Sequence, residues 1–379
     1  MIRVFFVFGT RPEAIKMAPV ILAMRKRPRL VPILCVTSQH REMLQDVLRI
    51  FRIEPDHDLQ IMNLDQSLFD ITRLTLERIE RILIAEEPDI TLVQGDTTTT
   101  FAGALASYYL RIPVGHIEAG LRTDDKYRPF PEEINRRLTT CLADIHFAPT
   151  VWAKERLLKE NVPAERIAVT GNTVVDALTI VLERTKNDPV LKEGLESRFP
   201  FVNDRDKKLI LVTAHRRENF GKNLGSICFA LREIARRGEK RVEIIFPVHP
   251  NPKVREPVRE ALQDVKTIHL IEPLDYMSFV FLMNRCDLIL TDSGGIQEEA
   301  PSVGKPVFVM RDKTERPEVL QTGIAKLVGT EPDRIISELI SWLESQERPI
   351  RESLQPNPFG DGRASERILS IIEEEIRPK

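Results

Sequence analysis

Three carboxylates in the first half of the chain occupy positions from which they could transfer protons. Asp96 follows the apolar run 90–93, Glu118 follows the apolar run 114–117, and Glu132 opens a helical pattern after a proline-rich loop. Carboxylates that lie close together acquire separated pKa values, which suit them to acid and base roles. A shared acid–base site is therefore indicated, although Asp96 could instead cap the following helix and Glu132 could compensate a helix dipole.

A short polar turn in the second half could bind an anion. Ser293, Gly294 and Gly295 separate the predicted strand 288–290 from a predicted helix. Free backbone N–H groups and the positive end of the helix dipole would converge there, and neither glycine has a Cβ that keeps an anion away. Glu299 lies four residues past Gly295 on the same helix face, where it could accept the hydroxyl groups of an attached sugar. An ordinary strand-to-helix turn is the alternative.

Cationic and histidine side chains could act together with the three acids and with the polar turn. Arg11 precedes the helix after the first strand, Lys16 lies one turn inside that helix, and Arg316 follows the last strand. Together with the turn at Ser293, these cations would hold a diphosphate. His215 ends the first strand of the second half and would face the attached group with the acids. Solvated cations at a capped helix and a histidine in the core are the alternatives.

Short apolar, β-branched runs alternate with longer helical patterns, and the alternation restarts after residue 208. This pattern predicts an α/β protein with two Rossmann-like, doubly wound domains. Ligands bind outside the carboxyl ends of strands in such sheets, so two facing domains would hold a ligand in a cleft. The predicted strands are residues 2–8, 31–36, 90–93, 114–117, 145–148 and 167–169, then 209–212, 243–247, 267–271, 288–290 and 307–309.

The length of 379 residues is consistent with two domains. The polar stretch 185–208 indicates a change of domain somewhere between residues 172 and 208, and the Pro- and Gly-rich segment 356–362 indicates a second break before a final helix at 363–376. We predict an N-terminal domain formed by residues 1–172 and 361–379, which carries the acids. A C-terminal domain formed by residues 173–360 would bind the anion.

Composition argues against several classes of function. The 55 basic and 57 acidic residues give a formal net charge of -2 without blocks of like charge, which argues against nucleic-acid binding and a polybasic membrane anchor. No stretch approaches the ~20 apolar residues of a membrane span and none resembles a signal sequence, so a cytoplasmic protein is predicted. The absence of a G-x-G-x-x-G fingerprint and of a P-loop argues against NAD binding and ATP hydrolysis. The four separated cysteines predict buried free thiols, and no metal-ligand spacing is visible.

Taken together, the motifs closely resemble the non-hydrolysing UDP-N-acetylglucosamine 2-epimerases over essentially the whole chain. The resemblance implies a glycosyltransferase-B-like fold whose last helix returns to the first domain, a homodimer, and no requirement for NAD or a metal. Leu274 departs from the family, in which glutamine is expected. The matching segments are GTRPEAIK (9–16), GDTTTT (95–100), HIEAGLRT (116–123), PEEINR (131–136), HRREN (215–219), TDSGGIQEEAP (291–301) and MRDKTERP (310–317).

The resemblance also assigns roles to individual residues. Phe279 enters only in this way, since its spacing from Tyr276 would by itself indicate core packing. By resemblance, the catalytic residues are Asp96, Glu118, Glu132 and His215, and the UDP-sugar is bound by Arg11, Lys16, Phe279, Ser293, Gly294, Gly295, Glu299 and Arg316.

The implied reaction is the reversible conversion of UDP-N-acetylglucosamine to UDP-N-acetylmannosamine. Inversion at C2 removes a proton that no neighbouring carbonyl acidifies. Departure of UDP from C1 solves this problem, because positive charge that develops at C1 acidifies the C2–H bond. Acids on both faces of the sugar would then form a 2-acetamidoglucal and protonate it again. A glycosyltransferase of the same fold, a hydrolysing epimerase and a non-catalytic nucleotide-sugar sensor are the alternatives.

Overall fold

The computed structural model of the protein describes residues 1–38, 41–62, 66–204, 206–214, 216, 219–238, 241–345 and 356–378. The chain forms two compact units, Met1–Ile180 with Phe359–Lys379, and Val181–Pro358. The change from one unit to the other falls within a long helix, Thr173–Asn187. The domain limits derived from the sequence, at residues 172 and 361, stay a prediction.

The first unit contains a seven-stranded parallel sheet. Its strands are β1 Ile2–Phe8, β2 Leu30–Val36, β3 His57–Asp58, β4 Ile90–Gln94, β5 Val114–Ile117, β6 Ile145–Ala148 and β7 Ile167–Val169. The spatial order is β3-β2-β1-β4-β5-β6-β7, so the order reverses between β1 and β4. Apolar side chains of β1 and β4 are buried on both faces, as expected for parallel strands covered by helices. The helices are α1 Arg11–Met24, α2 Arg41–Phe51, α3 Leu68–Glu86, α4 Thr98–Tyr109, α5 Glu132–Leu142, α6 Val151–Lys159 and α7 Thr173–Asn187.

The second unit repeats this plan with six parallel strands. They are β8 Lys208–Thr213, β9 Val242–Pro247, β10 Ile268–Ile271, β11 Leu288–Thr291, β12 Val307–Val309 and β13 Ala325–Leu327. Their order is β10-β9-β8-β11-β12-β13, the doubly wound order of a Rossmann-like sheet. The two α/β sheets predicted from the sequence are therefore confirmed. The helices are α8 Pro189–Arg198, α9 Lys222–Arg237, α10 Pro252–Leu262, α11 Tyr276–Arg285, α12 Gly294–Glu299, α13 Pro317–Gln321 and α14 Pro332–Glu344.

The last helix, α15 (Ala364–Glu375), belongs to the first unit. Arg27, just after α1, donates from Nη1 to Glu373 Oε2 of α15 at 2.6 Å. The carboxylate of Asp176 in α7 accepts hydrogen bonds from the backbone N of Ala364 at 3.2 Å and of Ser365 at 2.7 Å. These contacts satisfy backbone donors at the start of α15 and confirm the predicted return of the last helix.

The four consecutive threonines 97–100 form the N-cap and the first turn of α4. Thr97 is the N-cap of α4, and its Oγ1 accepts from Thr100 N at 3.1 Å. Asp96 is therefore not the cap that the sequence allowed. Thr100 Oγ1 donates to Gln94 O at 2.6 Å, and Thr99 Oγ1 lies 3.2 Å from Thr37 Oγ1. Hydrogen bonds thus stabilise residues that have poor helix propensity.

Some local features were not predicted or differ from the prediction. The polar stretch 185–208 contains the end of α7 and all of α8, which Asp188 caps by accepting from Leu191 N at 3.0 Å. The short strands β3 and β13 were not predicted. Cys141 is exposed, whereas the other three cysteines are buried free thiols. Within the described ranges, no helix has both the length and the apolar character needed to cross a membrane.

Candidate active site

The turns that follow β1 and β4 lie side by side, because these strands are parallel neighbours in the sheet. The strand order of the first unit reverses between them. Ligands of doubly wound sheets bind outside the carboxyl ends of strands at such a reversal. Arg11 opens α1 after the first turn, and Lys16 lies in the same helix. Asp96 follows β4. The fold therefore brings two predicted cations and one predicted acid to the same edge of the sheet.

A buried glutamate, Glu13, joins these two turns. Its Oε2 accepts hydrogen bonds from Gly9 N at 3.0 Å and from both N and Oγ1 of Thr10 at 2.8 Å. Its Oε1 accepts from Thr97 Oγ1 at 2.6 Å and from Thr100 Oγ1 at 3.1 Å. Burial raises the pKa of Glu13, and the hydrogen bonds lower it less. Glu13 fixes the position of the segment that precedes Arg11 relative to the segment that follows Asp96.

Glu118 directly follows β5 and has a left-handed backbone conformation, with a φ of 66°. Residues other than glycine rarely adopt this conformation, and residues that do so cluster at functional sites. The carboxylate forms a buried ion pair with Lys16 Nζ and accepts from Gln94 Nε2 and Asn172 Nδ2, each at 3.2 Å. Lys16, predicted to bind a diphosphate, is therefore also the partner of a predicted proton-transfer group.

Asp96 is held by the first turns of α5. Arg136 Nε donates to Asp96 Oδ2 at 2.9 Å, and Asn135 Nδ2 donates to the carbonyl oxygen of Asp96 at 2.9 Å. These bonds bring the start of α5, which is Glu132, to the turn that carries Asp96. Glu132 is partly exposed, whereas its neighbour Glu133 is buried and lies 3.4 Å from Arg136 Nη1. Two of the three predicted acids thus share one hydrogen-bonded substructure.

His116, in β5, supports the same turn from below. Its Nε2 donates to the carbonyl oxygen of Gly95 at 2.7 Å. Burial lowers the pKa of His116 to about 3, so the imidazole is neutral at neutral pH. Gly95 has a φ of 76°, a conformation in which glycine avoids the steric penalty of a Cβ. His116 and Gly95 therefore position the backbone that precedes Asp96.

In the second unit the strand order reverses between β8 and β11. Asp292, which follows β11, joins the two corresponding turns. Its Oδ2 accepts from Arg216 N and from Asn219 Nδ2, both at 2.9 Å. Asp292 thus fixes the positions of Arg216 and Asn219, which follow β8. His215, predicted to be catalytic, lies outside the described residues, and its role stays a prediction.

Ser293 is the N-cap of α12, and Gly294 and Gly295 form the first turn of this six-residue helix. The φ of Gly294 is outside the left-handed region, so space rather than conformation explains the glycine. A Cβ at Gly294 would overlap the guanidinium of Arg316, whereas a Cβ at Gly295 would meet no atom within 4 Å. From the sequence, an anion is expected to approach both glycines. The structure fills the space at the first with Arg316 and leaves the space at the second open.

Two glutamates orient the Arg316 guanidinium. Arg316 Nε donates to Glu298 Oε1 at 2.6 Å, and Nη1 donates to Glu315 Oε2 at 3.0 Å. Arg311 Nη1 also donates to Glu315 Oε2, at 3.1 Å. Burial raises the pKa of Glu315, but the charges of Arg316 and Arg311 lower it more, to about 2. A cation is therefore fixed beside Gly294, where it can strengthen anion binding at the short helix.

The low pKa of Glu315 predicts a loss of stability in acid. Its pKa is 4.5 in the unfolded chain and about 2 in the folded protein. The resulting stabilisation, about 3 kcal/mol, is fully present above pH 4.5 and is lost as the pH falls through 2. Urea unfolding across this range should show a steeper decline for the wild type than for Glu315→Gln. The exposed control Glu272→Gln should behave like the wild type, and equal slopes in all three proteins would contradict the shift.

Glu299 ends α12 and lies near the start of α11. It is 6 % exposed and accepts a hydrogen bond from Tyr276 Oη at 2.6 Å. Phe279 lies one turn after Tyr276 in α11 and is partly exposed, so it is not purely a core residue. Leu274, the departure from the family pattern, is buried at 7 % exposure. The second unit thus has an anion-type turn, an oriented cation, a carboxylate and an accessible aromatic ring in adjoining elements.

Several residues that hold the predicted site residues had not been predicted in that role. The spacing of Thr10 and Glu13 is that of a capping box, and this signal could have identified Glu13. Most of the others act through contacts between distant segments, whereas Glu315 contacts its neighbours Arg311 and Arg316. Among the described residues, no group of three or more His, Cys, Asp or Glu side chains is arranged to hold a metal ion. The supporting residues are Glu13, Gln94, Arg136, Asn172, Tyr276, Asp292, Glu298 and Glu315.

The fold and the polar groups place this protein in the class of Rossmann-like α/β proteins. Each unit has a Rossmann-like sheet, and in each unit a buried carboxylate joins the turns at the point of reversal. Proteins with such sheets bind nucleotides at this position.

Comparison with known proteins specifies the family. The family model described as UDP-N-acetylglucosamine 2-epimerase matches residues 22–373. The UDP-N-acetylglucosamine 2-epimerase of Salmonella typhimurium is 54% identical over 370 residues, with 98% of each chain covered. The crystal structure of UDP-GlcNAc 2-epimerase from Neisseria meningitidis bound to UDP-GlcNAc is similar, with a TM-score of 0.93 and 49% identity over 99% of this chain and 100% of that chain. The S. aureus MnaA-UDP co-structure has a TM-score of 0.87 and 44% identity over 99% of this chain and 96% of that chain.

The chain belongs to the UDP-N-acetylglucosamine 2-epimerase family. The family resemblance read from the motifs and the glycosyltransferase-B-like fold are therefore confirmed. Because epimerases are isomerases, the protein belongs to a family of isomerases.

Proposed function

We propose that this protein interconverts UDP-N-acetylglucosamine and UDP-N-acetylmannosamine without net hydrolysis. Membership of the epimerase family supports the activity. The observation that carries the proposal within the chain is Glu118, which is buried, has a left-handed backbone, and is paired with Lys16. Such a residue is a candidate for proton transfer because its backbone conformation is energetically costly. Its carboxylate is also buried beside a cation instead of being solvated by water.

In the proposed reaction UDP leaves from C1 with the electron pair of the C1–O bond. A carboxylate removes the proton from C2, and the C1=C2 bond of 2-acetamidoglucal forms. A proton is then delivered to C2 from the opposite face, and a phosphate oxygen of UDP attacks C1 again. The sequence contains no dinucleotide fingerprint that would favour oxidation of a neighbouring alcohol instead. The route is redox-neutral and needs no co-reactant.

The leaving group would be stabilised by residues that can contact its diphosphate. We propose that Arg316, oriented by two glutamates, and the turn at Ser293 and Gly295 bind the phosphates. Preorganised donors of this kind act where charge develops in the transition state. Glu299 would accept the ribose hydroxyl groups, and Phe279 would contact the nucleotide. The remaining residues proposed to bind the UDP-sugar are Arg11, Lys16 and Gly294.

Proton transfer at C2 is assigned to Glu118 and Asp96. Glu118 is paired with Lys16, while Asp96 is paired with Arg136, so different cations influence the two carboxylates. We propose that Glu132, which opens the helix carrying Arg136, positions or shares the proton. His215 would stabilise the departing phosphate. Two faces of the sugar need two proton-transfer groups, which is consistent with this set.

The proposal predicts incorporation of solvent deuterium. The purified protein is incubated in D2O with UDP-N-acetylglucosamine as the only substrate, and products are followed by NMR. We expect UDP-N-acetylmannosamine with deuterium at C2, because the proton lost to a carboxylate exchanges with solvent. A product that keeps its original hydrogen at C2 would overturn the elimination mechanism.

The same experiment separates the alternatives. A hydrolysing epimerase would release free N-acetylmannosamine and UDP. A glycosyltransferase would give no second UDP-sugar without an acceptor, and a sensor would bind the substrate unchanged. We also propose a homodimer, as the family resemblance implies, whose mass can be measured by analytical ultracentrifugation. A cytoplasmic location stays a proposal from the sequence pattern.

A further inference from the structure

Tyr276 opens α11 and is the buried donor to Glu299. Its hydroxyl lies 2.6 Å from Glu299 Oε1, and the two residues are 3 % and 6 % exposed. A hydrogen bond between a hydroxyl and a carboxylate is among the stronger ones in proteins. Sequence spacing alone explained Tyr276 as core packing, but packing does not require the hydroxyl group. The contact therefore indicates a second role for this tyrosine.

The backbone at Tyr276 is itself firmly placed. Asp275 is the N-cap of α11, and its carboxylate accepts from Ser278 N at 2.8 Å and Ser278 Oγ at 2.7 Å. Arg198 Nη1, from α8, donates to Asp275 Oδ2 at 3.1 Å and to Ser278 Oγ at 2.9 Å. Two charged side chains thus anchor the turn from which the Tyr276 hydroxyl reaches Glu299. A donor on a fixed helix start can restrict a carboxylate more than a mobile one can.

The acceptor, Glu299, lies close to the anion-type turn at Ser293. Glu299 ends a six-residue helix whose first residues are Gly294 and Gly295, so it stands one turn from the anion-type turn. A carboxylate has about four acceptor positions, and Tyr276 uses one of them on Oε1. The bond therefore limits rotation of the carboxylate and sets the direction in which both of its oxygen atoms point.

We propose that Tyr276 is a positioning residue that orients Glu299 for the vicinal hydroxyl groups of a ribose, and so makes the protein selective for ribonucleoside diphosphates. This inference rests on the proposed function, in which Glu299 accepts the ribose hydroxyls. Tyr276 does not touch the reacting atoms. Its removal should affect binding of the nucleotide, expressed in KM, more than turnover, expressed in kcat.

The test compares two ligands in one variant. Affinities of UDP and 2′,3′-dideoxy-UDP are measured by calorimetry for the wild type and for Tyr276→Phe. A hydrogen bond to a charged group is worth about ten- to a hundredfold in affinity, so the wild type should prefer UDP by at least about tenfold. Tyr276→Phe should bind UDP about five- to tenfold more weakly and dideoxy-UDP unchanged.

Each outcome decides the question. Equal weakening of both ligands would mean that Tyr276 acts through packing, and unchanged UDP affinity would mean that the hydroxyl is not needed; either result overturns the proposal. Because the ratio is measured within one protein sample, a partly unfolded preparation does not mimic selective loss. Tyr109→Phe removes a hydroxyl from an exposed tyrosine and should leave both affinities unchanged.

Glu299→Gln separates this inference from the proposed function. If Glu299→Gln loses the preference for UDP and Tyr276→Phe keeps it, Glu299 contacts ribose but Tyr276 does not orient it. If Glu299→Gln keeps the full preference, the assignment of the ribose to Glu299 fails together with the inference. Loss of preference in both variants is the expected result.

Discussion

Replacing Glu118 by glutamine is expected to lower turnover of UDP-N-acetylglucosamine by about 10²- to 10⁴-fold, the range that a positioned proton-transfer group contributes. Glutamine has nearly the same size but cannot take the proton from C2. Affinity for UDP should change by less than about threefold, because the substitution removes an interaction with the reacting centre rather than with the leaving group. The measurement is steady-state kinetics with calorimetry of UDP binding.

The same substitution also removes the negative charge that faces Lys16, so damage to the fold needs its own control. Loss of one partner of a buried ion pair can cost about 3–5 kcal/mol of stability. Thermal unfolding of Glu118→Gln shows whether the protein is folded at the assay temperature. Glu80→Gln makes the same chemical change at an exposed position of α3 and should leave turnover normal. Near-normal turnover of a folded Glu118→Gln protein would exclude Glu118 from proton transfer.

Replacing Gly294 by alanine is expected to weaken UDP binding by about ten- to a hundredfold. The new Cβ would overlap the Arg316 guanidinium, which must move away from Glu298 and from the turn. Charge-assisted hydrogen bonds to a diphosphate would be lost, each worth about 1.5–3 kcal/mol. The positive charge itself remains in the protein, so the substitution tests the position of the cation. Calorimetry with UDP measures the effect.

Two other glycines in the second unit serve as controls. Gly225 lies in α9, where a Cβ would meet no atom within 4 Å, and Gly225→Ala should bind UDP normally. Gly295→Ala should also leave the free protein undisturbed, so any loss of UDP binding by that variant reports a ligand close to the turn. Normal UDP affinity in Gly294→Ala would show that Arg316 does not hold the diphosphate.

The strands that position the site could be predicted because most of their residues are apolar, as expected for buried strands. Residues such as those of β1 and β11 form mostly apolar runs that end in turn residues, and the alternation with helices implies parallel sheets. The edge strands β3 and β13 have only two and three residues and lack an apolar run. Their extended conformation depends on pairing with β2 and β12, which a local pattern does not contain.

Most of the predicted site residues could be identified because the sequence motifs that contain them lie at the ends of predicted strands. Their partners could not, since the relevant contacts join distant segments: Glu13 reaches a threonine 84 residues away, and Asn172 reaches Glu118 over 54 residues. Gly294 illustrates a different limit. A missing side chain is visible in the sequence, but only the packed structure reveals whether ligand or protein fills the space, here the Arg316 guanidinium.

The five hydrogen bonds accepted by Glu13 have a consequence for protein engineering. They make residues 9–13 and residues 97–100 a single structural unit, although three strands and two complete helices separate them along the chain. A chimaera that takes only one of these loops from a distant relative would leave a buried carboxylate facing foreign donors. Recombination between family members should therefore respect this pair of loops as one block.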